Sequence, residues 1–476
     1  MIVEQFFVKG LAHSSYVLGG AKTCAIVDPR RDVQVYLDAA RVLGMKITHI
    51  LETHLHADFV SGHLDLAEKT GATIYAPKSA NCQFDHVGVS EGDKVAVEDM
   101  ELRVFETPGH TPEHISYVVT DRARGTDPLA VFCGDTLFVG DVGRPDLFPG
   151  KAQDLASNLF DSLHKKLLTL PDFCEVYPAH GAGSLCGRAM GAKRTSTIGY
   201  EKKYNGALQI GDRKAFIESL TTNMPAAPDH FSRCSAINGR GPTRLEDLPV
   251  MQELEPARFR ERLQEKNTVV VDARSYEAFG GQHIPGSYHI DFGGNFATFA
   301  GWVLPPEARL LLVTGGGILA EDVAVWLRRV GLDRVVGYLS GGMFSWATAG
   351  FPTGHVKQLS VEELHQMGAG DQTMVVVDVR APREYEGFHI QGGLNIPAPD
   401  LRTRHEELDP DVPTVLVCST GHRSSLGASI LKQHGFKEVL NTAGGMTGYA
   451  AAGYGPECPV CVVPHGPHFL GGKIES

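Results

Sequence analysis

No stretch of about 18 uninterrupted apolar residues occurs in this chain, so nothing in it is expected to span a membrane. A long basic run is also missing, and 44 Lys and Arg against 56 Asp and Glu leave a formal net charge of −12. Nucleic acid, whose phosphates call for clustered cations, is therefore not an expected partner. The first residues, with Glu4 and Lys9 in a short mixed segment, lack the apolar core of a signal peptide. Nine cysteines, an odd number scattered over 476 residues, do not read as a disulfide framework. A reducing cytoplasm is the expected setting. What the chain does have is apolar side chain: 42% of residues are hydrophobic, enough for packed cores, and the length suits roughly two to four domains.

One stretch organises the rest. Residues 53–63 read Thr-His-Leu-His-Ala-Asp-Phe-Val-Ser-Gly-His and follow an apolar, strand-like run at 47–51. Two histidines at i and i+2, with an acid two further on, would point three ligand-type side chains into one cleft as a loop leaves a strand. Three later segments repeat the theme: Thr-Pro-Gly-His at 107–110, Cys-Gly-Asp at 133–135 and Tyr-Pro-Ala-His-Gly at 177–181. Each puts a His or Asp just after an apolar run. Four such loops together predict a metal site.

Strand-like runs at 3–8, 16–18, 24–27, 72–75, 102–106, 115–119 and 129–133 alternate with helical spacing at 33–43 and 64–69. A long amphipathic helix is expected over 152–170, stopped by Pro171. This is the pattern of a layered α/β domain. Between 221 and 256 the Pro- and Gly-rich composition suggests a connector, which sets a boundary near 250. Beyond it the chain repeats itself: Val269–Arg274 returns as Val375–Arg380, His283-Ile-Pro-Gly as His389-Ile-Gln-Gly, and Gly341-Gly-Met as Gly444-Gly-Met. Each unit alternates strands and helices as small parallel-sheet domains do. The expected domains are 1–250, 251–355 and 356–455, with an extended tail over 456–476. The tail's Cys458 and Cys461, near His465 and His468, could bind zinc or exchange thiols.

The motifs of the first half resemble the metallo-β-lactamase superfamily, which implies an αββα sandwich. Hydrolases of that superfamily carry His-x-His-x-Asp-His, and the final pair helps hold a second metal. Here Phe59 follows Asp58, and a phenyl ring cannot ligate. The departure points instead to the persulfide dioxygenases of the superfamily, which implies one Fe(II) per chain held by His54, His110 and Asp135, with positions left open for a persulfide sulfur and O2. The same resemblance makes His56, Asp58 and His180 neighbours that hydrogen-bond ligands or water; His180 reads equally well as a remnant of a two-metal site. His63 is expected to be structural. Gly143-Arg144-Pro145-Asp146 resembles a Gly-Arg-x-Asp segment of the family, so Arg144 either anchors a glutathione carboxylate or pairs with Asp146. Lys193 and Arg194 are further substrate-binding candidates. Cys186 is either an auxiliary thiol near the iron or, more commonly in such places, a buried free cysteine.

In the second repeat, Val417-Cys418-Ser419-Thr420-Gly421-His422-Arg423-Ser424 ends a strand, and a helix is expected after Ser424. Backbone N–H groups, the helix N-terminus and Arg423 would all favour a thiolate at Cys418. This Cys-x4-Arg loop resembles the rhodanese sulfurtransferases; phosphatases use the longer Cys-x5-Arg spacing. The first repeat has Thr314 and Leu319 in place of the thiol and the cation, and is read as an inactive rhodanese-like domain. The fold class expected overall is α/β, a metallo-β-lactamase-type sandwich followed by two rhodanese-like domains with parallel sheets. The order resembles the bacterial persulfide dioxygenase–rhodanese fusions. That resemblance implies oxidation of glutathione persulfide, or a related small persulfide, by O2 to sulfite. It also implies movement of sulfane sulfur through Cys418 between thiosulfate, sulfite and thiol. A homo-oligomer is expected. Two alternatives stand beside this reading: a glyoxalase II-like thioester hydrolase with a sulfurtransferase domain, and a sulfur carrier or sensor without turnover.

Overall fold

Alternating burial along successive strands builds the first half of the chain into two sheets. In this computed structural model, all residues are described except 189, 223, 225, 294, 369–373 and 456–476. The tail cysteines and histidines, Cys458, Cys461, His465 and His468, therefore lie outside the described residues. A first compact unit is built on Met1–Asp247, and a second begins at Leu248.

In the first unit, β1 (Ile2–Val8), β2 (His13–Gly19), β3 (Thr23–Val27), β4 (Lys46–Leu51), β5 (Thr73–Pro77) and β6 (Val87–Val89) lie side by side in chain order. The second sheet holds β7 (Lys94–Val97), β8 (Met100–Glu106), β9 (Ile115–Asp121), β10 (Ala130–Gly134), β11 (Glu175–Pro178) and β12 (Ser196–Thr197), likewise in order. One parity of each strand faces the other sheet. Tyr16, Leu18, Ala25 and Val27 meet Leu102, Val104, Tyr117, Val119 and Phe132 in a single apolar cluster. The opposite parity packs outward. Val17, Cys24 and Ile26 cover Tyr36 and Ala40 of α1 (Gln34–Leu43) and Leu66 of α2 (His63–Thr70). Val118, Val131 and Cys133 cover Leu159 and Leu163 of α3 (Ala152–Lys165). The result is the αββα sandwich. Each fully buried aliphatic or aromatic side chain is worth roughly 1.5–3 kcal/mol of transfer free energy, so these three layers of contact hold the strand ends rigidly.

Two expectations are corrected here. The helix expected over 152–170 ends at Lys165, and a 3₁₀ turn, Leu167–Thr169, follows. Lys166 leaves the helical region (φ −124°, ψ −72°), and its Nζ reaches Glu91 and the Glu106 carbonyl, both at 2.6 Å. Leu167 and Leu170 stay in the core. The segment 221–256, read as a connector, contains a true helix. After α4 (Ile198–Tyr204) and α5 (Arg213–Thr221) comes α6 (His230–Arg240). Gly239 lies within its last turn, and Gly241, at φ +95°, ends it.

The second unit contains two parallel five-stranded sheets. The first has the order β13 (Gln252–Leu254), β17 (Val335–Leu339), β16 (Arg309–Val313), β14 (Thr268–Asp272), β15 (Tyr288–His289). The second repeats that permutation with β18 (Lys357–Leu359), β22 (Val439–Thr442), β21 (Thr414–Val417), β19 (Val375–Asp378) and β20 (Leu394–Asn395). The repeated Asp-x-Arg becomes the same buried ion pair twice, Asp272 with Arg274 and Asp378 with Arg380. All seven described cysteines that could pair are free thiols. No described helix is long and apolar enough to cross a membrane.

Candidate metal centre and thiol cradle

The ligand-type residues gather because every loop carrying one leaves the same end of a strand. The loop after β4 carries His54, the one after β8 carries His110, and Asp135 and His180 follow β10 and β11. Asp28, held at φ +49° just beyond β3, anchors the first loop by accepting the Thr53 N–H at 2.8 Å and the Thr53 hydroxyl at 2.9 Å. With its proton spent on Asp28, Thr53 Oγ1 can only accept from His54 Nδ1, at 2.9 Å. That fixes the tautomer and leaves the lone pair on Nε2. His110 is set the same way, since its Nδ1 donates to the Arg144 carbonyl at 2.9 Å.

Both bare nitrogens face one carboxylate oxygen. His54 Nε2 lies 3.8 Å and His110 Nε2 3.4 Å from Asp135 Oδ2. The two nitrogens are buried and lack hydrogen-bond partners. Burial pushes both imidazoles below their ordinary pKa, so both are neutral, the form that ligates. Burial opposes ionisation of Asp135 too, but His180 and His110 outweigh it and hold the carboxyl well below its usual range. Two neutral imidazoles and one carboxylate, buried and aimed at one point, form a donor set that fits a divalent metal ion.

The remaining loop residues do not join that point, and the expectation of three ligands from one loop in one cleft is corrected accordingly. His56 turns to acids at the ends of β3 and β4, with its Nε2 3.2 Å from Asp28 and 3.8 Å from Glu52. Burial disfavours its charge, yet these carboxylates raise its pKa on balance. Asp58 pairs instead with His180, whose Nε2 is 2.8 Å from Asp58 and whose Nδ1 is 2.8 Å from Asp135. Despite burial, the two carboxylates lift the His180 pKa well above normal, so the ring bridges them as a cation. Cys186 groups with Asp58 and His180, and burial together with the same acids pushes its thiol well above the ordinary range. His63 opens α2 and faces Glu52 at 3.4 Å. Phe59 is fully buried between His13, at 3.9 Å centroid to centroid, and His56, at 4.4 Å.

Of the substrate-binding candidates, Arg144 is buried, and its fork grips Asp146 through two bonds of 2.7 Å while Nη1 donates to the Leu185 carbonyl. A substrate carboxylate would have to compete with Asp146. Lys193 and Arg194 are exposed and lie over the rings of Tyr200 and Phe7.

Sequence reasoning missed three contributors. His114 stacks on His54 at 4.7 Å and accepts the Asp135 N–H. His13 packs on Phe59. Both precede or open a strand, so a rule that looks just past strand ends passes over them. The third is α6: Asn238 donates to the carbonyls of His56 and Phe59 and accepts from the Ser61 N–H, all at 2.8 Å. One side chain thus closes three backbone groups of the ligand loop.

The second candidate site lies at the end of β21. Cys418 is buried, and its Sγ accepts from the Gly421 N–H at 3.1 Å and the Ser424 hydroxyl at 3.3 Å. Gly421 sits at φ +104°, a conformation that glycine supplies. The following helix, His422–Gln433, begins three residues earlier than expected, so Arg423 and Ser424 lie in its first turn. Arg423 does not hydrogen-bond the sulfur. It grips Glu384 at 2.7 and 2.8 Å and the Ser419 hydroxyl at 2.7 Å, bracing the loop. From the other side, the Met446 N–H donates to the Cys418 carbonyl at 2.7 Å. The equivalent loop of the first repeat, Thr314 to Leu319, carries no thiol, and Leu319 is exposed.

Comparison with known proteins agrees with this layout. A family model described as the metallo-beta-lactamase superfamily matches residues 8–180, and one described as rhodanese-like domain matches 255–349 and 360–452. A hydroxyacylglutathione hydrolase of Rhodospirillum rubrum is 41% identical over 33% of this chain and 57% of its own. The chain thus spans little more than half of that relative. The mitochondrial persulfide dioxygenase ETHE1 of Mus musculus is 29% identical over 47% of this chain and 83% of its own. Among solved structures, a metallo-beta-lactamase from Staphylococcus aureus subsp. aureus COL is 36% identical with a TM-score of 0.64, covering 71% of this chain and 98% of its own.

Proposed function

The chain belongs to the metallo-beta-lactamase superfamily and carries two rhodanese-like domains, and on that premise we propose that it is a persulfide dioxygenase joined to a sulfurtransferase. The substrate class is a small thiol persulfide, with glutathione the carrier suited to a reducing cytoplasm. The balanced reaction is RSSH + O2 + H2O → RSH + H2SO3. One ferrous ion per chain, held by His54, His110 and Asp135, would supply the oxygen-activating redox chemistry. The protein's part is orientation: Asp28 and Thr53 fix one imidazole, the Arg144 carbonyl fixes the other, and cationic His180 holds the Asp135 carboxylate ionised.

The observation that carries this reading is the division of the first loop. Only His54 of that loop shares a point with His110 and Asp135, while His56 is turned to Asp28 and Glu52 and Phe59 offers no lone pair. That supports one metal rather than two. The sulfurtransferase half rests on the cradled Cys418. Its thiolate attacks the outer sulfur of thiosulfate, an S–S bond forms to Cys418 as the donor's S–S bond breaks, and sulfite leaves with the electron pair. The reverse exchange returns sulfur to sulfite or to a thiol. Tethering the two sites raises the effective concentration of each one's product at the other.

Oxygen uptake by the full-length, Fe(II)-loaded protein with glutathione persulfide tests the proposal. One O2 consumed and one sulfite formed per persulfide are expected; no uptake at stoichiometric iron would overturn it. The 41% identical hydrolase favours one other reading, a glutathione thioesterase. That reading predicts two zinc ions per chain and thioester cleavage. A carrier or sensor would load Cys418 with sulfur and consume no oxygen.

A further inference from the structure

The repeat that lacks a thiol sends side chains into the cradle of the repeat that has one. Tyr276 opens the helix Tyr276–Gly281 of the first repeat. Its ring lies against Gly421, so closely that a Cβ at Gly421 would meet Cζ at 3.1 Å and Cε1 at 3.2 Å. Its phenol lies within electrostatic reach of the Glu277 carboxylate, the Gly444 backbone and Cys418. Gly421 and Gly444 belong to the two loops that frame Cys418. Burial and Glu277 push the phenol up to about 12, so it keeps its proton. Asp291, just past β15, accepts the Tyr276 N–H at 3.2 Å and faces His422 Nε2 at 3.6 Å. The His422 ring meets Tyr276 edge-on at 5.2 Å.

Neither residue serves the core of its own repeat. The apolar cluster of that repeat is built from Leu254, Phe259, Val270, Ile284 and their neighbours, without Tyr276. Nor is Tyr276 a feature of the repeat: counted from the shared Asp-x-Arg, the second repeat has Pro382 at that position. The Arg423 guanidinium, in the first turn after the sulfur loop, is already matched by Glu384. Glu277 and Asp291, set beside Tyr276, add carboxyl groups on that side of the loop. Their repulsion scales with the donor's charge.

We propose that Tyr276 and Asp291 of the thiol-less repeat form the wall of the Cys418 site that selects its sulfur donor, Tyr276 by narrowing the mouth over Gly421 and Asp291, with Glu277, by disfavouring a compact dianion such as thiosulfate relative to a singly charged persulfide terminus. This rests on Cys418 being a sulfur carrier. It gives the repeat without a thiol a part in specificity.

The test uses the full-length protein and the variants Asp291→Asn, Tyr276→Ala and Tyr276→Phe. Sulfur transfer to cyanide is measured with thiosulfate and with glutathione persulfide, separating kcat from KM. Asp291→Asn is expected to lower the KM for thiosulfate at least threefold while the persulfide KM moves less than twofold. Tyr276→Ala should shift the ratio of the two kcat/KM values at least fivefold, and Tyr276→Phe, which restores the ring, should return that ratio most of the way. A donor ratio unchanged in both Asp291→Asn and Tyr276→Ala overturns the proposal. A second readout needs no turnover: alkylation of Cys418 by anionic iodoacetate and neutral iodoacetamide, followed by peptide mass spectrometry. Asp291→Asn should raise the iodoacetate-to-iodoacetamide rate ratio at least threefold, and an unchanged ratio counts against the wall. If the wild type moves no sulfur but the alkylation ratio shifts, the carrier role fails and the wall stands.

Discussion

The backbone N–H of Asp135 donates to Nε2 of His114 at 2.9 Å, so a carboxylate of the candidate metal centre is positioned by an imidazole outside the ligand set. The other ring nitrogen of His114 faces the hydroxyls of Thr107 and Thr136, at 3.0 and 3.1 Å. Burial lowers the His114 pKa to about 3, which keeps the ring a neutral acceptor at working pH. His114→Phe keeps the stacking shape and orphans the Asp135 N–H. Metal affinity should fall about 10–100-fold. Titration against a chelating dye reads this directly, and an affinity within twofold of wild type would count against the role.

Asn238 on α6 satisfies three backbone groups of the His54 loop with one side chain. Asn238→Ala leaves the Phe59 carbonyl and the Ser61 N–H buried and unpaired and the His56 carbonyl with only a 3.5 Å bond from Ser235, at about 1–3 kcal/mol for the site as a whole. Thermal unfolding should show a lower midpoint, and metal content after purification should drop. A variant that keeps full stability and full metal content would show that the loop holds itself.

Glu384 matches a largely buried Arg423. Removing the charge in Glu384→Gln leaves the guanidinium underpaired, which should destabilise the second repeat by about 1–3 kcal/mol. The loop it braces also carries Cys418, so sulfur transfer should fall roughly tenfold while oxygen uptake at the first unit is retained. Unchanged transfer together with an unchanged unfolding midpoint would remove Arg423 from the bracing role.

His289 joins the two repeats. Its N–H donates to Ser429 Oγ at 3.0 Å, its Nε2 donates to the Arg274 carbonyl, and its Nδ1 accepts from Ser425. Burial lowers its pKa from 6.5 to about 4, with Asp272 opposing only in part. The unfolded chain therefore takes up a proton near pH 6.5 that the folded protein refuses until about pH 4. The contribution to stability is present above pH 6.5 and is lost as pH falls through that window, by on the order of 3 kcal/mol. Urea unfolding of wild type and His289→Gln across pH 7 to 4 should show the gap between them closing toward acid. A gap independent of pH would refute the assignment.

Legibility followed the range of the interactions. Strand and helix periodicity is local, so the layers of the sandwich, the repeated Asp-x-Arg and the Cys418 loop could be read from the chain. The end of α3 could not: Lys166 breaks the helix to reach Glu91 and the Glu106 carbonyl, partners 60 or more residues away. The helix α6 was hidden because glycine and proline in and around it speak louder than its other residues. The Arg423 side chain was expected at the sulfur, but Glu384, from another helix, draws it aside.

By itself the amino-acid order determined which chemistry is available: imidazoles and carboxylates after apolar strands, a phenyl ring at 59, one repeat with a thiol and one without. Those are matters of residue type and spacing, which no folding can change. Only the tertiary structure decided which donors share a point. It turned His56 toward Asp28, gave His180 two carboxylates, and laid Tyr276 across Gly421. Each of those outcomes depends on the direction of a side chain relative to a segment far along the chain, and direction is set by packing rather than by neighbours in sequence.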